Sequence, residues 1–340
     1  MKLRAMKKMI SVLALVWGGS GSLQHASAQV DPHFTQYYIY PSWTNPALTG
    51  AFDGQYRVSG VFRTQWGNIS SPYSTQGVSG EFQSNNNMNY GISILNQTAG
   101  DGGYRYTTAY ANVAFTGVRF GPAENHRVVL ALQAGVIQRR FDATKLTFGD
   151  QWNPVTGYNP NNPTADILSN RNVSTFDMGA GVLYFDATSN RKANMYVGYA
   201  VSHLTKPTDK FSGSGDATLP MRHTIHGGVR IKVNETLSLT PNALYLRQGN
   251  AQETMLGVFG SIKAATETDI LAGANYRFDD AISPFVGFSH KRFVLGVSYD
   301  INTSDLGKLV KGSNSFEVSV SFTGKRNVKT PEIEFVCPRL

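Results

Sequence analysis

The chain has 340 residues, of which 16% are charged, against roughly 25% in ordinary soluble domains. Glycine (34), phenylalanine (19) and tyrosine (16) are abundant, which suits short twisted strands and membrane-interface girdles rather than a soluble helical fold. The net charge of +8 owes four units to Lys2, Arg4, Lys7 and Lys8 and the other cations are scattered, so no nucleic-acid footprint is seen; the single cysteine, Cys337, excludes an internal disulfide, a zinc ribbon and a CxxC redox site.

Residues 1–28 read as a cleaved secretory signal peptide. Met1 to Lys8 is basic, Met9 to Trp17 is apolar, and Ala26-Ser27-Ala28 forms an A-x-A site. The apolar stretch is about half of the ~20 residues that a spanning helix needs. Gln29 follows the site where a lipid-anchored chain would carry cysteine. No other apolar run is long enough to span as a helix, so the exported chain either is soluble or crosses a membrane as strands.

Residues 29–55 are rich in proline, asparagine and aromatics and lack periodicity; Asn45-Pro46-Ala47-Leu48-Thr49-Gly50 reads as a turn. A segment this aromatic is expected to fold into a lumen as a plug, the alternative being a periplasmic lead-in strand. His33, Phe34, Gln36, Tyr37, Asn45, Pro46 and Gly50 are its candidate plug or protein-binding residues.

From residue 56 to 324 the chain alternates with period two. Leu130, Leu132 and Val136 share one face and Arg127, Gln133 and Arg139 the other. Ile225, Val229 and Ile231 alternate with His226, Gly228 and Arg230. Phe293, Leu295 and Tyr299 alternate with Gly296, Ser298 and Asp300. Phe316, Val318, Val320 and Phe322 alternate with Glu317, Ser319 and Ser321. An apolar outside with a polar or small inside predicts a single antiparallel transmembrane β-barrel. Strands are expected to begin near 56, 72, 88, 104, 127, 173, 192, 221, 236, 251, 266, 281, 291 and 314. The long connections, near 141–172, 204–220 and 303–313, follow the fifth, seventh and thirteenth strands and therefore share one side. Long loops outside and short turns in the periplasm would place both termini in the periplasm. A secreted two-sheet sandwich also alternates, but it has no reason to sort its loops by parity.

Within the 141–172 loop, Trp152 and Tyr158 mark an ordered lid or docking surface, a loop of such length being usually functional. Residues 325–340 form a periplasmic tail, in which Cys337, Pro338 and Arg339 are candidate partner contacts. No catalytic or metal-ligating constellation emerges, and no cofactor is expected. None of the seven histidines forms HExxH. His223 and His226 point to opposite faces of one strand, and neighbouring Ser202 and His203 are expected to face opposite sides. No GxSxG elbow or Walker loop is present.

Several ordered motifs then carry a resemblance. They are Asp31-Pro32-His33-Phe34-Thr35-Gln36-Tyr37, Asn45-Pro46-Ala47…Gly50, Arg63-Thr64-Gln65-Trp66, Phe141-Asp142…Gly149-Asp150, and Phe176-Asp177-Met178-Gly179-Ala180-Gly181-Val182. The run Tyr196 to Leu204, Ser298-Tyr299-Asp300, and Glu317 complete them. On these residues the chain resembles the PorP/SprF family of the type IX secretion system of Bacteroidota. The resemblance implies an outer-membrane barrel shaped like the long-chain fatty-acid transporters, with its N-terminal segment inside, serving protein export, gliding or cell-surface anchoring. It implies partners among periplasmic ring lipoproteins, peptidoglycan-binding subunits, or a large secreted surface protein held through its C-terminal domain, in contact with outer-membrane lipid. The family often ends on an aromatic residue where this chain ends Cys337-Pro338-Arg339-Leu340. A competing reading is a channel for a hydrophobic small molecule. A third, an outer-membrane hydrolase, has no residues to support it.

Overall fold

The computed structural model describes residues 31–67, 72–84, 86–100, 103–142, 145–146, 148–159, 161–162, 172–189, 191–208, 218–305 and 314–324. The expected signal peptide and the tail with Cys337, Pro338 and Arg339 lie outside the described residues.

The first elements among the described residues are a short helix α1 (Pro41–Thr44) and a 3-10 turn (Pro46–Leu48). Strands follow: β1 (Tyr56–Gln65), β2 (Tyr73–Gln83), β3 (Met88–Ala99), β4 (Tyr104–Phe120) and β5 (His126–Arg140). The small pair β6 (Trp152–Asn153) and β7 (Gly157–Tyr158) comes next. Then come β8 (Asn172–Asp186), β9 (Ala193–Ser202), β10 (Arg222–Lys232), β11 (Leu237–Gln248), β12 (Ala251–Ala265) and β13 (Thr268–Arg277). The last three are β14 (Ala281–His290), β15 (Phe293–Asn302) and β16 (Ser315–Gly324). All strands except β6 and β7 pair antiparallel with their neighbours in one closed barrel of fourteen, sealed by β1 against β16 from Tyr56↔Gly324 to Gln65↔Ser315. Each barrel strand begins within two residues of its sequence-based position.

Alternation sorts the faces. Along β16, Glu317, Ser319 and Ser321 are buried in the lumen while Phe316, Val320 and Phe322 stand exposed outside. The same holds for Leu130, Leu132 and Val136 outside and Gln133 inside on β5. Exposed aromatics collect near both ends of this apolar belt: Tyr56, Phe82, Tyr90, Phe293 and Phe322 toward one, Tyr276, Phe278, Tyr299 and Phe316 toward the other. Such girdles mark the two water–lipid interfaces of a membrane barrel. No helix among the described residues is long and apolar enough to cross a membrane; the strands do the crossing.

An even strand number puts the start of β1 and the end of β16 at one end, and the pair Tyr56↔Gly324 places them there. The segment before β1 does not stay at that end. Asp31 contacts His203 just past the far end of β9, Arg222 at the far start of β10, and Tyr106 near the far start of β4. Gly50 and Phe52, by contrast, bond Gln83 at the near end of β2. The termini themselves, expected to share a side, lie outside the described residues. Parity counts only the strands, and residues 31–52 make one more traverse inside them, beginning at the long-loop end.

Phe34, Tyr37, Tyr38, Ile39, Tyr40, Trp43 and Leu48 are all buried in this position. Withdrawing a large apolar side chain from water contributes on the order of 1.5–3 kcal/mol, which is why so aromatic a segment does not remain in solvent. Around it, many inward positions are small, among them Ser59, Ser79, Ser93, Thr224, Ser319 and Ser321, and leave room for a second layer of chain.

Candidate functional site: the occupied lumen

Three sets of polar contacts hold the segment, one near each end and one between. Near the long-loop end, the Arg63 guanidinium donates to Asp300 (2.7 Å), Glu317 (3.1 Å) and the Thr35 hydroxyl (3.0 Å). Arg277 reaches Asp300 from the other side at 2.8 Å. The Thr35 and Gln36 backbone N–H groups donate to the Glu317 carboxylate at 2.9 and 2.7 Å. Arg63, Arg277, Asp300 and Glu317 are all buried. Charges removed from water persist only when paired and hydrogen-bonded, and this cluster satisfies each carboxylate twice or more.

Beside it, His203 donates from Nε2 to Asp31 (2.7 Å) and from Nδ1 to Asp177 (2.8 Å). Arg222 also donates to Asp31 (2.9 Å), to the Trp43 carbonyl (2.7 Å), and stacks 4.5 Å over the Trp43 ring. Burial alone would depress the His203 pKa, but the Asp31 charge and the bonds to Asp177 and Asp31 outweigh it and raise the value to about 9. An imidazole bonded through both nitrogens to carboxylates is an imidazolium. Burial would raise Asp31, yet His203 and Arg222 hold it well below the usual carboxylate range. His33 behaves oppositely. Burial, then the Arg277 and Arg63 charges, lower it well below its ordinary value; its Nδ1 lies 3.7 Å from Glu253.

Ser202 and His203 face the same way, which corrects the sequence-based reading. Alternation ends with the strand: His203 takes φ +60°, and this left-handed step turns its ring inward next to Ser202. The Ser202 hydroxyl accepts from Arg222 (3.2 Å) while both His203 nitrogens are committed to carboxylates. The two do not form a nucleophile–base pair, and no group of three metal-ligating residues gathers among the described residues.

In mid-lumen, Asn45 organises the NPA turn. Its side chain caps the 3-10 turn by accepting from Ala47 N–H (2.9 Å), and its amide reaches the Val182 carbonyl (3.0 Å) and His226 Nε2 (3.0 Å). This approach is possible because Gly181 faces it: a Cβ there would lie 2.0 Å from Asn45 Oδ1. Gly181→Ala is therefore expected to destabilise the folded barrel by about 1–3 kcal/mol through overpacking, measured as a lower temperature for loss of its compact gel mobility. An unchanged temperature would mean that the turn moves freely.

At the end opposite the long loops Gly50, at φ +78°, donates from N–H to Glu81 (2.9 Å), which Arg57 holds at 2.8 Å, and its carbonyl accepts from Gln83. Of the sequence-derived candidates, His33, Phe34, Gln36, Tyr37, Asn45, Pro46 and Gly50 thus lie together in the lumen. Trp152 and Tyr158 do not join them: they pair across the β6–β7 hairpin and are exposed. Sequence reasoning missed Asp31, Arg222 and Arg277 as holding groups. Their signal was available: Arg222 and Arg277 are charged residues at inward parity on strands that carry apolar residues outward. Above the segment, a vestibule of about 760 Å³ opens at the long-loop end between His33, Trp66, Tyr73, Glu253, Arg277 and Asp300. Two spaces beside the segment hold about 50 and 10 Å³, room for no more than a few waters.

Residues 26–322 match the family described as type IX secretion system membrane protein PorP/SprF. The chain belongs to this family. The match takes in the lumen segment as well as nearly all of the barrel. The fold of this PorP/SprF protein is similar to that of the Ralstonia pickettii toluene transporter TbuX, with 11% identity, a TM-score of 0.52, and coverage of 84% of this chain and 94% of that one. It is also similar to the Pseudomonas putida toluene transporter TodX, with 10% identity, a TM-score of 0.49, and coverage of 86% and 94%. At such identities the likeness is one of fold. No curated protein matches the PorP/SprF chain in sequence.

Proposed function

We propose that the protein is an outer-membrane component of type IX secretion or gliding that works by binding, through its outer surfaces and ends, rather than by passing a solute. The observation that supports this most is the occupied lumen of a PorP/SprF barrel. Residues 31–52 fill the interior and are fixed by buried ion pairs on β1, β10, β13, β15 and β16. A route for a hydrophobic small molecule, such as the toluene carried by the transporters TbuX and TodX, would have to displace them. With the long loops outside, the β6–β7 hairpin with Trp152 and Tyr158 faces the medium, and Gly324 at the end of β16 faces the periplasm. The outer end then suits a large secreted surface protein. The inner end, with Cys337, Pro338 and Arg339, suits a periplasmic ring lipoprotein or a peptidoglycan-binding subunit.

Affinity capture of the tagged barrel from gently solubilised outer membranes tests this. Enrichment of periplasmic ring or peptidoglycan-binding subunits, or of one large surface protein, is the expected result. Recovery of the barrel alone with bound hydrophobic ligand would overturn it and install the channel reading.

A further inference from the structure

We infer that the upper edge of β8, from Asn172 to Phe176, is a docking edge for an extended, acidic polypeptide strand arriving from the long-loop side. The inference rests on the proposed reading that this end faces the medium.

The wall of the barrel is uneven here. β8 pairs with β5 along its whole length, from His126↔Asp186 to Arg140↔Asn172. It pairs with β9 only from Phe185↔Tyr196 to Ala180↔Val201. The cause is the left-handed step at His203, which ends β9 and starts a tight turn closed by Lys206 N–H to the His203 carbonyl at 3.0 Å. Leu204 N–H then reaches the Met178 carbonyl at 2.9 Å, and the Thr205 hydroxyl reaches the Phe176 carbonyl at 3.3 Å. Backbone groups alternate sides along a strand, so the even-numbered residues of β8 point away from β5. Both backbone groups of Ser174 and the N–H of Phe176 therefore meet no strand among the described residues, and Ser174 is exposed.

An open edge is not tolerated in hydrocarbon, and this one lies above it. Outward residues change at this height from Val136, Phe176 and Met178 to Gln138, Ser174, Arg140 and Asn172. Between the edge and residues 205–208 runs a groove of about 290 Å³. Strand addition to such an edge takes its affinity from main-chain hydrogen bonds and its selectivity from the alternate side chains. The selectivity here is for acid. Lys206 lines the groove. Arg140 stands on the outward face of β5 directly beside Asn172, a second positive charge one strand in from the edge that a carboxylate on an added strand would face across Asn172.

The chain's own residues 209–217 are poorly suited to fill the edge. Their sequence, DKFSGSGDA, is poor in strand formers, and the residues on either side of it, Thr208 and Thr218, bridge each other.

The test uses the full-length protein in intact cells, with a photoreactive phenylalanine introduced at position 172 and, separately, at position 152. Illumination of the position-172 probe is expected to give an adduct with an acidic, strand-forming segment of a secreted protein. Ser174→Pro removes an N–H that faces the open edge and leaves the pairing with β5 intact, so it should fold and should reduce the adduct at least tenfold; Ser174→Ala should not. Lys206→Glu, outside every strand, is expected to reduce it several-fold. An adduct mapping to residues 209–217, or one indifferent to both Ser174→Pro and Lys206→Glu, overturns the inference. No adduct at 172 with one at 152 also overturns it, while leaving the surface-anchoring reading in place. Silence at both positions defeats both.

Discussion

Arg63→Ala is expected to release the N-terminal segment at a cost of about 3–5 kcal/mol, the range seen when one member of a buried charge network is removed. The side chain is 1% exposed and binds Asp300, Glu317 and Thr35 together. Without it Asp300 keeps Arg277, but Glu317 keeps only the two backbone donors of Thr35 and Gln36. A buried carboxylate in that state favours a segment that moves away and admits water. Three readouts should change together: the temperature of unfolding falls, protease reaches residues between 31 and 52, and conductance appears across a planar bilayer. Arg63→Lys keeps the charge but loses the fork that reaches two carboxylates at once, and should fall between. If Arg63→Ala melts and conducts like the parent, the cluster does not hold the segment.

Alkaline pH is expected to loosen the same segment through a second group. His203 has its pKa raised from an ordinary 6.5 to about 9. A raised value stabilises fully below 6.5, and that contribution is lost as pH climbs through 9. The gap corresponds to about 3 kcal/mol at 1.36 kcal/mol per unit. Asp31 has the opposite sign: its lowered pKa makes a contribution present above its ordinary 3.8 and lost only as acid protonates it. Thermal unfolding measured from pH 6 to 10 should therefore show a decline that His203→Gln abolishes. A flat profile in the parent protein would remove the imidazolium from the account.

The wall of the molecule was legible in the sequence because one periodicity carries two consequences. Phe316, Val318, Val320 and Phe322 announced both a strand and its lipid face. The lumen was legible only in part. The aromatic run from Phe34 to Trp43 argued for burial, but alternation says nothing about which inward residue receives which part of a non-periodic segment. Asp31 meets Arg222 across 191 positions and Gln36 meets Glu317 across 281; such partners are set by closure of the barrel and not by local pattern. The error at Ser202 and His203 has the same root. A period-two rule was carried one residue beyond the strand that justified it, at the position where φ changes sign.

The seat of the N-terminal segment also governs how the molecule can be made. Thr35 and Gln36 dock on Glu317, 282 and 281 positions away, and Glu317 belongs to the strand that seals β1. The residues synthesised early thus wait for those synthesised last, and one event both closes the cylinder and latches its contents. Contacts of such separation fold slowly, because the chain must be ordered before they form. A nascent chain stopped short of β16 would have an unsealed seam and an unseated interior together, so assembly has no stable halfway point: the barrel is finished around its filling or not at all.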